Sequence, residues 1–338
     1  MYFCEISFHI LFFMQNNLYP LKFSPILKEK IWGGKKLSDI YNLTGGEKLG
    51  ESWVLSGLRG DDSVIVNGDL AGQTLTQIID TYRDELLGKS IYEKYGTNFP
   101  LLFKLIDASD KLSIQVHPND ATAWERHRSF GKTEMWYIID AEEDSELILG
   151  FANDCSAEEY SAALTNQTLE SLLKRVKVHS GDVIFIPSGL VHAIGKGVLL
   201  AEIQQSSDIT YRVFDYNRKD TAGRERELHI EQAIDVIDYK KAENHLINYQ
   251  NKRNEFISLI NCNYFNVSFM EFSNIQYLDY EEIENCTVLL CVEGSFELKT
   301  QDFTTSLKTG EAVLLPACTK VVQLIPSQIS RVLETIVM

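Results

Sequence analysis

The segment Gly181–His192 constrains the fold of this chain more than any other, because it combines strand-forming and turn-forming residues in a fixed order. It reads Gly-Asp-Val-Ile-Phe-Ile-Pro-Ser-Gly-Leu-Val-His. The run Val-Ile-Phe-Ile has high β-propensity. Pro187 fixes its own φ and Gly189 permits a positive φ, so the chain can reverse sharply there. The sequence therefore predicts a hairpin that consists of a strand, a tight turn and a second strand. His192 would lie at the start of the second strand, at the entrance to the space that the hairpin helps to enclose.

A related pattern lies near the C-terminus. The spacing Gly-x5-Pro occurs from Gly181 to Pro187 and again from Gly310 to Pro316, in both cases downstream of an apolar run with strand character. In the second copy no glycine follows the proline, and Val321 stands where the first copy has histidine. An internal repeat and a length of 338 residues both favour two domains. We therefore expect two related β-rich units, of which the second has lost the histidine.

Two upstream segments could complete a metal site with His192. Gln115 and His117 are two residues apart on a predicted strand, so their side chains face the same side. Glu134 opens another predicted strand beside Met-Trp-Tyr, which indicates a partly buried position where an unpaired carboxylate would be costly. Two imidazoles, a carboxylate and an amide oxygen suit zinc, although the amide is the weakest ligand of the four. A single histidine is more often an ordinary structural residue, so the prediction depends on the segments together.

These segments resemble known families. The spacing Gly-x5-Pro-x-Gly-x2-His resembles the second signature of the cupins, small β-barrels related to jelly rolls. From about Leu18 to the C-terminus, the chain resembles the type I mannose-6-phosphate isomerases (phosphomannose isomerases) in their short bacterial form. The segments that carry this resemblance are IWGG (Ile31–Gly34), GESW (Gly50–Trp53), LSIQVHP (Leu112–Pro118), KTE (Lys132–Glu134) and SDITYR (Ser207–Arg212).

The resemblance implies a mainly β fold. It consists of two cupin (jelly-roll-like) β-barrels with short helical insertions, and the C-terminal barrel is degenerate and metal-free. The expected boundaries are residues 14–240 for the catalytic metal-binding domain, with a helical insert near 156–176, and residues 241–338 for the degenerate domain.

Residues 1–13 are apolar and aromatic but too short to span a bilayer, and they lack a signal peptide's basic start. We interpret them as an upstream or non-native extension before Met14, with an extra strand as the alternative.

Two helices are predicted directly from apolar periodicity and capping signals. The first covers residues 74–87, with Thr74 as a possible N-cap. The second covers residues 156–176, where Ser156 can cap the start, two glutamates occupy the first turn and basic residues close the end.

The family resemblance also implies a function. The chain would be a zinc-dependent aldose–ketose isomerase that interconverts mannose 6-phosphate and fructose 6-phosphate through a cis-enediol, with one Zn²⁺ per chain. The implied site residues are Gln115, His117, Glu134 and His192 for zinc, Lys104, Ser113 and Lys132 for the sugar phosphate, and Arg212, Glu202 and Lys132 for catalysis.

The residues themselves leave alternatives open. Arg212 lies between apolar neighbours and could simply extend its head to the surface. Lys104 could lie along the sheet with its ammonium in water. Glu202 is a lone carboxylate in an apolar strand, so burial is expected to raise its pKa toward a value useful for proton transfer. Lys132 is the alternative base.

Two other functions fit part of the pattern. Two histidines and a carboxylate also match the non-haem iron site of a cupin oxygenase. Three cations, Lys104, Lys132 and Arg212, count against this function, because an oxygenase has no general need for them. A non-catalytic cupin that binds sugar phosphates is the other alternative, and the intact metal ligands together with Glu202 and Arg212 count against it.

The charge balance restricts the partners. The chain has 32 basic and 48 acidic residues, a net charge of −16, which disfavours binding to nucleic acid or to an anionic membrane. A phosphate could bind only in a local basic pocket, so the expected partner is a small sugar phosphate. Six cysteines are scattered without a C-x-x-C pair, which indicates reduced thiols in a cytoplasmic protein. We expect a monomer or a weak homodimer.

Overall fold

The computed structural model describes residues 18–45, 48–219 and 223–338. The predicted N-terminal extension, residues 1–13, lies outside these ranges. The strands before residue 220 are β1 (Leu21–Lys22), β2 (Ile26–Gly34), β3 (Leu49–Leu55), β4 (Gly57–Leu58), β5 (Asp61–Asp62), β6 (Leu101–Ala108), β7 (Ile114–Val116), β8 (Glu134–Ala141), β9 (Glu146–Phe151), β10 (Leu173–Lys177), β11 (Val183–Ile186), β12 (His192–Ile194), β13 (Val198–Gln205) and β14 (Tyr211–Phe214). The strands after residue 223 are β15 (Ile257–Asn261), β16 (Phe265–Phe272), β17 (Gln276–Asp279), β18 (Thr287–Glu293), β19 (Ser295–Lys299), β20 (Thr304–Lys308), β21 (Ala312–Leu315), β22 (Val321–Pro326) and β23 (Ser330–Val337).

These strands form four larger antiparallel sheets and one small hairpin, β4–β5. Sheet I has the order β11-β8-β13-β6-β2-β3, and sheet II has the order β10-β9-β12-β7-β14. Sheet III has the order β1-β21-β18-β23-β16-β15, and sheet IV has the order β17-β22-β19-β20. Strand β1 comes from the start of the described chain but pairs with β21, so it extends the sheet of the C-terminal unit. The mainly β prediction is confirmed.

The apolar clusters show how the sheets are stacked. Ile106 and Trp136 of sheet I pack with Leu149 of sheet II in one core. Residues from the other face of sheet I pack against sheet III in a second core, where the rings of Tyr137 and Phe269 stack 5.4 Å apart. A third core lies between sheets III and IV. Sheet I is therefore the shared layer between the two units, with one face toward sheet II and the other toward sheet III.

Alternation along the strands of sheet I decides which side chains reach the space between sheets I and II. On β6, Phe103 and Leu105 belong to the core against sheet III, whereas Ile106 belongs to the core against sheet II. Side chains two residues apart share a face, so Lys104 lies on the same side as Ile106. The same alternation places Glu202 on the face of β13 that is directed toward sheet II. Strand β6, which carries Lys104, is buried along its whole length.

The predicted strand, turn and second strand at Gly181–His192 are confirmed, but the two strands do not form a hairpin: β11 pairs with β8 in sheet I, whereas β12 pairs with β7 and β9 in sheet II. Strand β11 precedes the turn, β12 begins at His192, and Gly189 adopts a φ of +88°. A Cβ atom at Gly189 would lie 2.9 Å from the carbonyl oxygen of Val236, so both the backbone conformation and the available space favour glycine.

The helices are short and lie outside the facing sheets. They are α1 (Lys36–Ile40), α2 (Leu75–Leu87), α3 (Lys89–Tyr95), α4 (Asp120–His127), α5 (Ala157–Thr165) and α6 (Ile230–Ile234), with a 3₁₀ turn at Leu169–Leu172. The predicted cap at Thr74 is confirmed as a capping box. In the described ranges, no helix is both long and apolar enough to cross a membrane.

The single helix predicted over residues 156–176 is wrong in its second half. Ser156 caps α5 as expected, but the helix ends at Thr165 and the chain continues through the 3₁₀ turn into β10. The polar run Thr-Asn-Gln-Thr after Leu164 forms helices poorly. The basic residues that were expected to close the helix lie on β10 instead, where Arg175 forms ion pairs with Glu146 and Glu170. Pairing of β10 with β9 outweighs the local helical pattern.

Candidate active site

Three side chains from separate segments meet in the space between sheets I and II. Glu134 starts β8, His192 starts β12, and His117 follows β7. The Nε2 atom of His117 lies 3.6 Å from Glu134 Oε2, and that of His192 lies 3.5 Å from Glu134 Oε1. All three residues are almost fully buried. The ligand atoms lie within 4.8 Å of one another, which is close enough to share one ion.

Backbone carbonyls orient both imidazoles. His117 Nδ1 lies 3.0 Å from the carbonyl oxygen of Ile209, and His192 Nδ1 lies 2.8 Å from that of Leu190. A carbonyl oxygen can only accept, so each Nδ1 carries the proton and donates it. Each Nε2 therefore presents a lone pair toward Glu134, which is the arrangement that metal-binding histidines use.

Burial keeps both imidazoles neutral. It lowers the pKa of His192 to about 4, and it lowers the pKa of His117 well below the ordinary histidine value, with a further contribution from the ammonium of Lys132. Burial also raises the pKa of Glu134, and the negative charge of Glu202 acts in the same direction. A cation between these groups would relieve the cost of burying the carboxylate.

The three residues fit a divalent metal such as zinc. Glu134 Oε1 and His192 Nε2 are buried and have no hydrogen-bond partner among the described residues. Two imidazole nitrogens and one carboxylate oxygen are ligands that zinc prefers, and three protein ligands are typical of a catalytic site. Gln115 lies directly opposite His192 in the pairing of β7 with β12 and lines the adjacent cavity. Its role as a ligand stays a prediction.

Lys132 lies beside the three candidate ligands. Its ammonium donates to Glu134 Oε2 and lies 3.3 Å from His117 Nε2 and 3.6 Å from Glu202 Oε1. It thus joins the candidate ligands to Glu202.

Glu202 is the centre of a buried polar group. Oε1 accepts a hydrogen bond from Lys104 Nζ at 2.8 Å, and Oε2 accepts one from Trp136 Nε1 at 3.1 Å. Lys104 Nζ also donates to Gln204 Oε1 at 2.6 Å. Strand register explains the arrangement, because Glu202 pairs with Lys104 on one side and with Trp136 on the other.

One expectation about this group was wrong, and one alternative is excluded. Burial disfavours the Glu202 carboxylate, but the ammonium groups of Lys104 and Lys132 outweigh this effect and lower its pKa, whereas a raised pKa was expected. Lys104 does not place its head in water, since the residue is only 6% exposed and its ammonium is bonded to Glu202. The sequence could not show that two lysines would converge on one carboxylate.

Arg212 lies on β14, the strand next to β7 in sheet II, and its pairing partner on β7 is Gln115. Its Nη1 donates to the carbonyl oxygen of Glu227 at 2.8 Å, whereas its buried Nε has no partner among the described residues. Burial lowers the pKa of Arg212, and the nearby charge of Arg226 contributes to this shift. Both effects disfavour the cation, so an anion bound beside Arg212 would be stabilised.

A cavity of about 360 Å³ lies beside the three candidate ligands, and Lys132, which contacts Glu134 and His117, is part of its lining. This size is in the usual range for small-molecule sites. The predicted residues Lys104, Ser113, Gln115, Lys132, Glu202 and Arg212 all line it. Among the described lining residues, six are lysine or arginine and four are aspartate or glutamate. The cavity therefore has the locally basic character that an acidic chain needs to bind a phosphate.

Sequence reasoning did not assign roles to several lining residues on β2 and β3. Lys28 forms an ion pair with Asp61 at 2.8 Å and lies over the ring of Trp53. Glu51 forms an ion pair with Lys30 at 3.0 Å and accepts a hydrogen bond from Trp53 Nε1. The alternation of Lys28, Lys30 and Trp32 along β2, and of Glu51 and Trp53 along β3, was a usable signal, because residues two apart share a face.

Comparisons with known proteins decide the family. A model described as "Phosphomannose isomerase type I, catalytic domain" matches residues 20–167, and one described as "Mannose-6-phosphate isomerase, cupin domain" matches residues 255–327. A mannose-6-phosphate isomerase of Bacillus subtilis, ManA, is 38% identical over 300 residues, which cover 88% of this chain and 93% of that relative. This chain belongs to the type I mannose-6-phosphate isomerases. The resemblance to this family that the sequence motifs indicated is confirmed.

Other members of the isomerase family support the same placement. A mannose-6-phosphate isomerase of Streptococcus mutans is 43% identical over 226 residues, covering 67% of this chain and 70% of that relative. The crystal structure of a mannose 6-phosphate isomerase from Bacillus subtilis superposes with a TM-score of 0.85 at 33% identity, covering 94% of this chain and 99% of that structure. The isomerase fold with its cupin domain is therefore confirmed, and the C-terminal match lies within the second unit.

Proposed function

We propose that this protein interconverts mannose 6-phosphate and fructose 6-phosphate. The observation that carries the proposal is the buried cluster of His117, Glu134 and His192 beside a basic cavity that also contains Glu202. Family membership supports the substrate, because relatives that match most of the chain are named mannose-6-phosphate isomerases. Family membership also disfavours the alternative of a non-haem iron oxygenase.

The reaction moves a proton between C1 and C2 of the open-chain sugar through a cis-enediol. We assign proton transfer to Glu202, because its ionised carboxylate lines the cavity and can accept a proton. Its lowered pKa makes it a weaker base than a carboxylate with a raised pKa would be. Trp136 and Lys104 fix its two oxygens, so the carboxylate has a defined orientation. Lys132 remains the alternative base.

We assign zinc to His117, Glu134 and His192, with Gln115 as the fourth protein ligand and one ion per chain. A bound zinc ion would supply a Lewis acid that polarises sugar oxygens. The two unpartnered atoms, Glu134 Oε1 and His192 Nε2, support this assignment.

The other polar residues of the cavity have two proposed roles. Lys104, Ser113 and Lys132 line the cavity and are proposed as contacts for the sugar phosphate. Arg212 has an unpartnered buried donor, and we propose that it stabilises the negative charge that develops on the enediolate.

We further propose that the enzyme acts in the cytoplasm as a monomer or weak homodimer on a small sugar phosphate, without nucleic acid or membrane as a partner. The free thiols of all five described cysteines support a reducing compartment. Light scattering during gel filtration measures the oligomeric state.

The experiment is an assay of the zinc-loaded protein with mannose 6-phosphate in D₂O, followed by NMR. We expect fructose 6-phosphate to form and deuterium to enter at the carbons that exchange protons, because an enediol exchanges with solvent. Glu202→Gln should lower kcat by about 10²–10⁴-fold, as expected for loss of a general base. Glu271→Gln is the matched control, since Glu271 forms ion pairs with Arg253 and Arg331 in the second unit.

Binding of the sugar phosphate without turnover by zinc-loaded protein would contradict the proposed function and favour a non-catalytic binding protein. An unchanged kcat in Glu202→Gln would assign the proton transfer to Lys132 instead.

A further inference from the structure

The loop that carries Lys132, residues 128–133, is held by backbone hydrogen bonds, among them one from the N–H of Gln205 to the carbonyl oxygen of Thr133 at 3.1 Å, and by one carboxylate. Asp120 Oδ1, at the start of α4, accepts hydrogen bonds from the backbone N–H of Gly131 and from Gln205 Nε2, both at 2.8 Å. Gln205 in turn binds the loop, because its Oε1 accepts from the N–H of Thr133 at 2.9 Å. Gly131 and Thr133 are the neighbours of Lys132 in the chain, and Glu134 follows directly.

The loop also packs tightly against the start of α4. A Cβ atom at Gly131 would lie 2.6 Å from the backbone nitrogen of Asp120. The N–H of Lys132 donates to the carbonyl oxygen of Pro118 at 3.2 Å, which ties the loop to the residue after His117. A displacement of Asp120 would therefore be transmitted to the backbone of both Lys132 and His117.

The second oxygen of Asp120 connects the loop to the C-terminal unit. Tyr264, just before β16 of sheet III, donates its hydroxyl to Asp120 Oδ2 at 2.7 Å. Burial disfavours the charged carboxylate, but the hydrogen bonds from Tyr264, Gly131 and Gln205 outweigh it and lower the pKa of Asp120. The carboxylate thus accepts three hydrogen bonds, one of which comes from the other unit.

We propose that Tyr264, Asp120 and Gln205 are positioning residues, through which the C-terminal unit fixes the loop that carries Lys132 and leads to Glu134. The consequence for catalysis rests on the proposed isomerase function, whereas the consequence for the loop does not. The C-terminal unit is then part of the working site without contributing a ligand to it.

Hydrogen exchange of two amides tests the structural step without any assay of activity. The N–H groups of Gly131 and Thr133 are bonded to Asp120 and Gln205, so their exchange rates report whether the loop is held. Tyr264→Phe removes one hydroxyl and should speed exchange at both amides by about fivefold, the usual effect of one lost hydrogen bond. Tyr280→Phe is the control, because Tyr280 donates to Glu334 at 2.6 Å within the C-terminal unit.

Kinetics test the functional step on the same variants. Asp120→Ala should lower kcat by about 10-fold or more with a smaller change in KM, as for other supporting partners of metal sites. Asp120→Asn should restore most of kcat, because the amide oxygen can accept from Gly131 and the amide nitrogen can donate to the Tyr264 hydroxyl. Tyr264→Phe should lower kcat a few-fold alone and add little in the Asp120→Ala background, because both changes break one pathway.

Three results would overturn the inference. The first is wild-type exchange at Gly131 and Thr133 in Tyr264→Phe. The second is an equal fall in kcat in Tyr280→Phe, which would reflect general destabilisation. The third is full additivity of Tyr264→Phe and Asp120→Ala. An inactive wild-type protein would overturn the proposed function, while the exchange measurement would still decide the positioning role.

Discussion

At the residue scale, the site depends on charges that are buried in contact with one another. Glu202 is ionised because Lys104 and Lys132 face it, and Glu134 is costly to ionise because it is fully buried and faces Glu202. The pKa values of these two carboxylates, which the Lys132 ammonium connects, are therefore shifted in opposite directions. A cation beside Glu134 would relieve the cost of burying its charge, whereas Glu202 is ionised by the two ammonium groups that face it.

The first prediction concerns Arg212. An arginine has donors only, so it cannot be a zinc ligand. If it stabilises charge that develops during proton transfer, Arg212→Ala should keep normal zinc content and folding but lower kcat by about 10²–10³-fold, with a smaller effect on KM. Arg212→Lys should recover little, because an ammonium lacks the planar guanidinium fork. A normal kcat with a strongly raised KM would instead make Arg212 a phosphate contact.

The second prediction concerns the pH dependence that Lys104 imposes. Lys104 holds the pKa of Glu202 low, so Lys104→Met should raise that pKa and protonate more of the base at low pH. The acid limb of kcat/KM should then move to higher pH. Breaking a buried ion pair costs about 3–5 kcal/mol, so circular dichroism must first establish that the variant is folded. An unmoved acid limb in folded protein would argue against Glu202 as the base.

At the element scale, the register of the paired strands determines which site residues become neighbours. Glu202 lies between Lys104 and Trp136 across three strands of sheet I, and Gln115 lies between His192 and Arg212 across three strands of sheet II. Both rows follow from antiparallel pairing, in which directly opposite side chains are neighbours.

The sequence predicted the local elements better than their pairing. The strand, turn and strand that lead to His192 and the cap at Thr74 were readable from β-propensity, turn chemistry and capping signals. The pairing of those two strands as a hairpin was predicted wrongly, because each pairs with a different sheet. Strand β10 was missed because its pairing with β9 depends on residues that are distant in sequence. The ion pairs of Glu202 were missed for the same reason, since register cannot be read from one strand alone.

The third prediction tests the correction at residues 156–176. Ser156 caps α5, and its hydroxyl accepts from the N–H of Glu159 in a capping box. Ser156→Ala should therefore lower the free energy of unfolding by about 1 kcal/mol. Lys174→Ala should leave the helical signal in circular dichroism unchanged, because Lys174 lies on β10. Loss of helical signal in Lys174→Ala would contradict this placement.

At the scale of the whole molecule, sheet I is shared by the two units. Side chains on one face of sheet I line the cavity, and side chains on the other face pack on sheet III of the C-terminal unit. The internal repeat predicted two related units, and the family matches fall within each of them. The domain boundary near residue 240 stays a prediction, and β1 shows that the start of the chain contributes to the second unit's sheet.

The fourth prediction concerns the N-terminal segment. The described core begins at Leu21, and the first family match begins at residue 20. A chain that starts at Met14 should therefore keep the thermal midpoint and the isomerase activity of the full chain. Loss of soluble protein on truncation would show that residues 1–13 contribute to a core.

The most direct test of the central claim, a zinc-dependent isomerase site formed by His117, Glu134 and His192, is the zinc content of a matched pair of variants after reconstitution. His192→Ala removes a buried candidate ligand, whereas His179→Ala removes an exposed histidine that lies shortly before β11. We expect one zinc per chain and full isomerase activity in wild type and His179→Ala, and loss of both zinc and activity in His192→Ala. Wild-type zinc affinity and turnover in folded His192→Ala would contradict the claim.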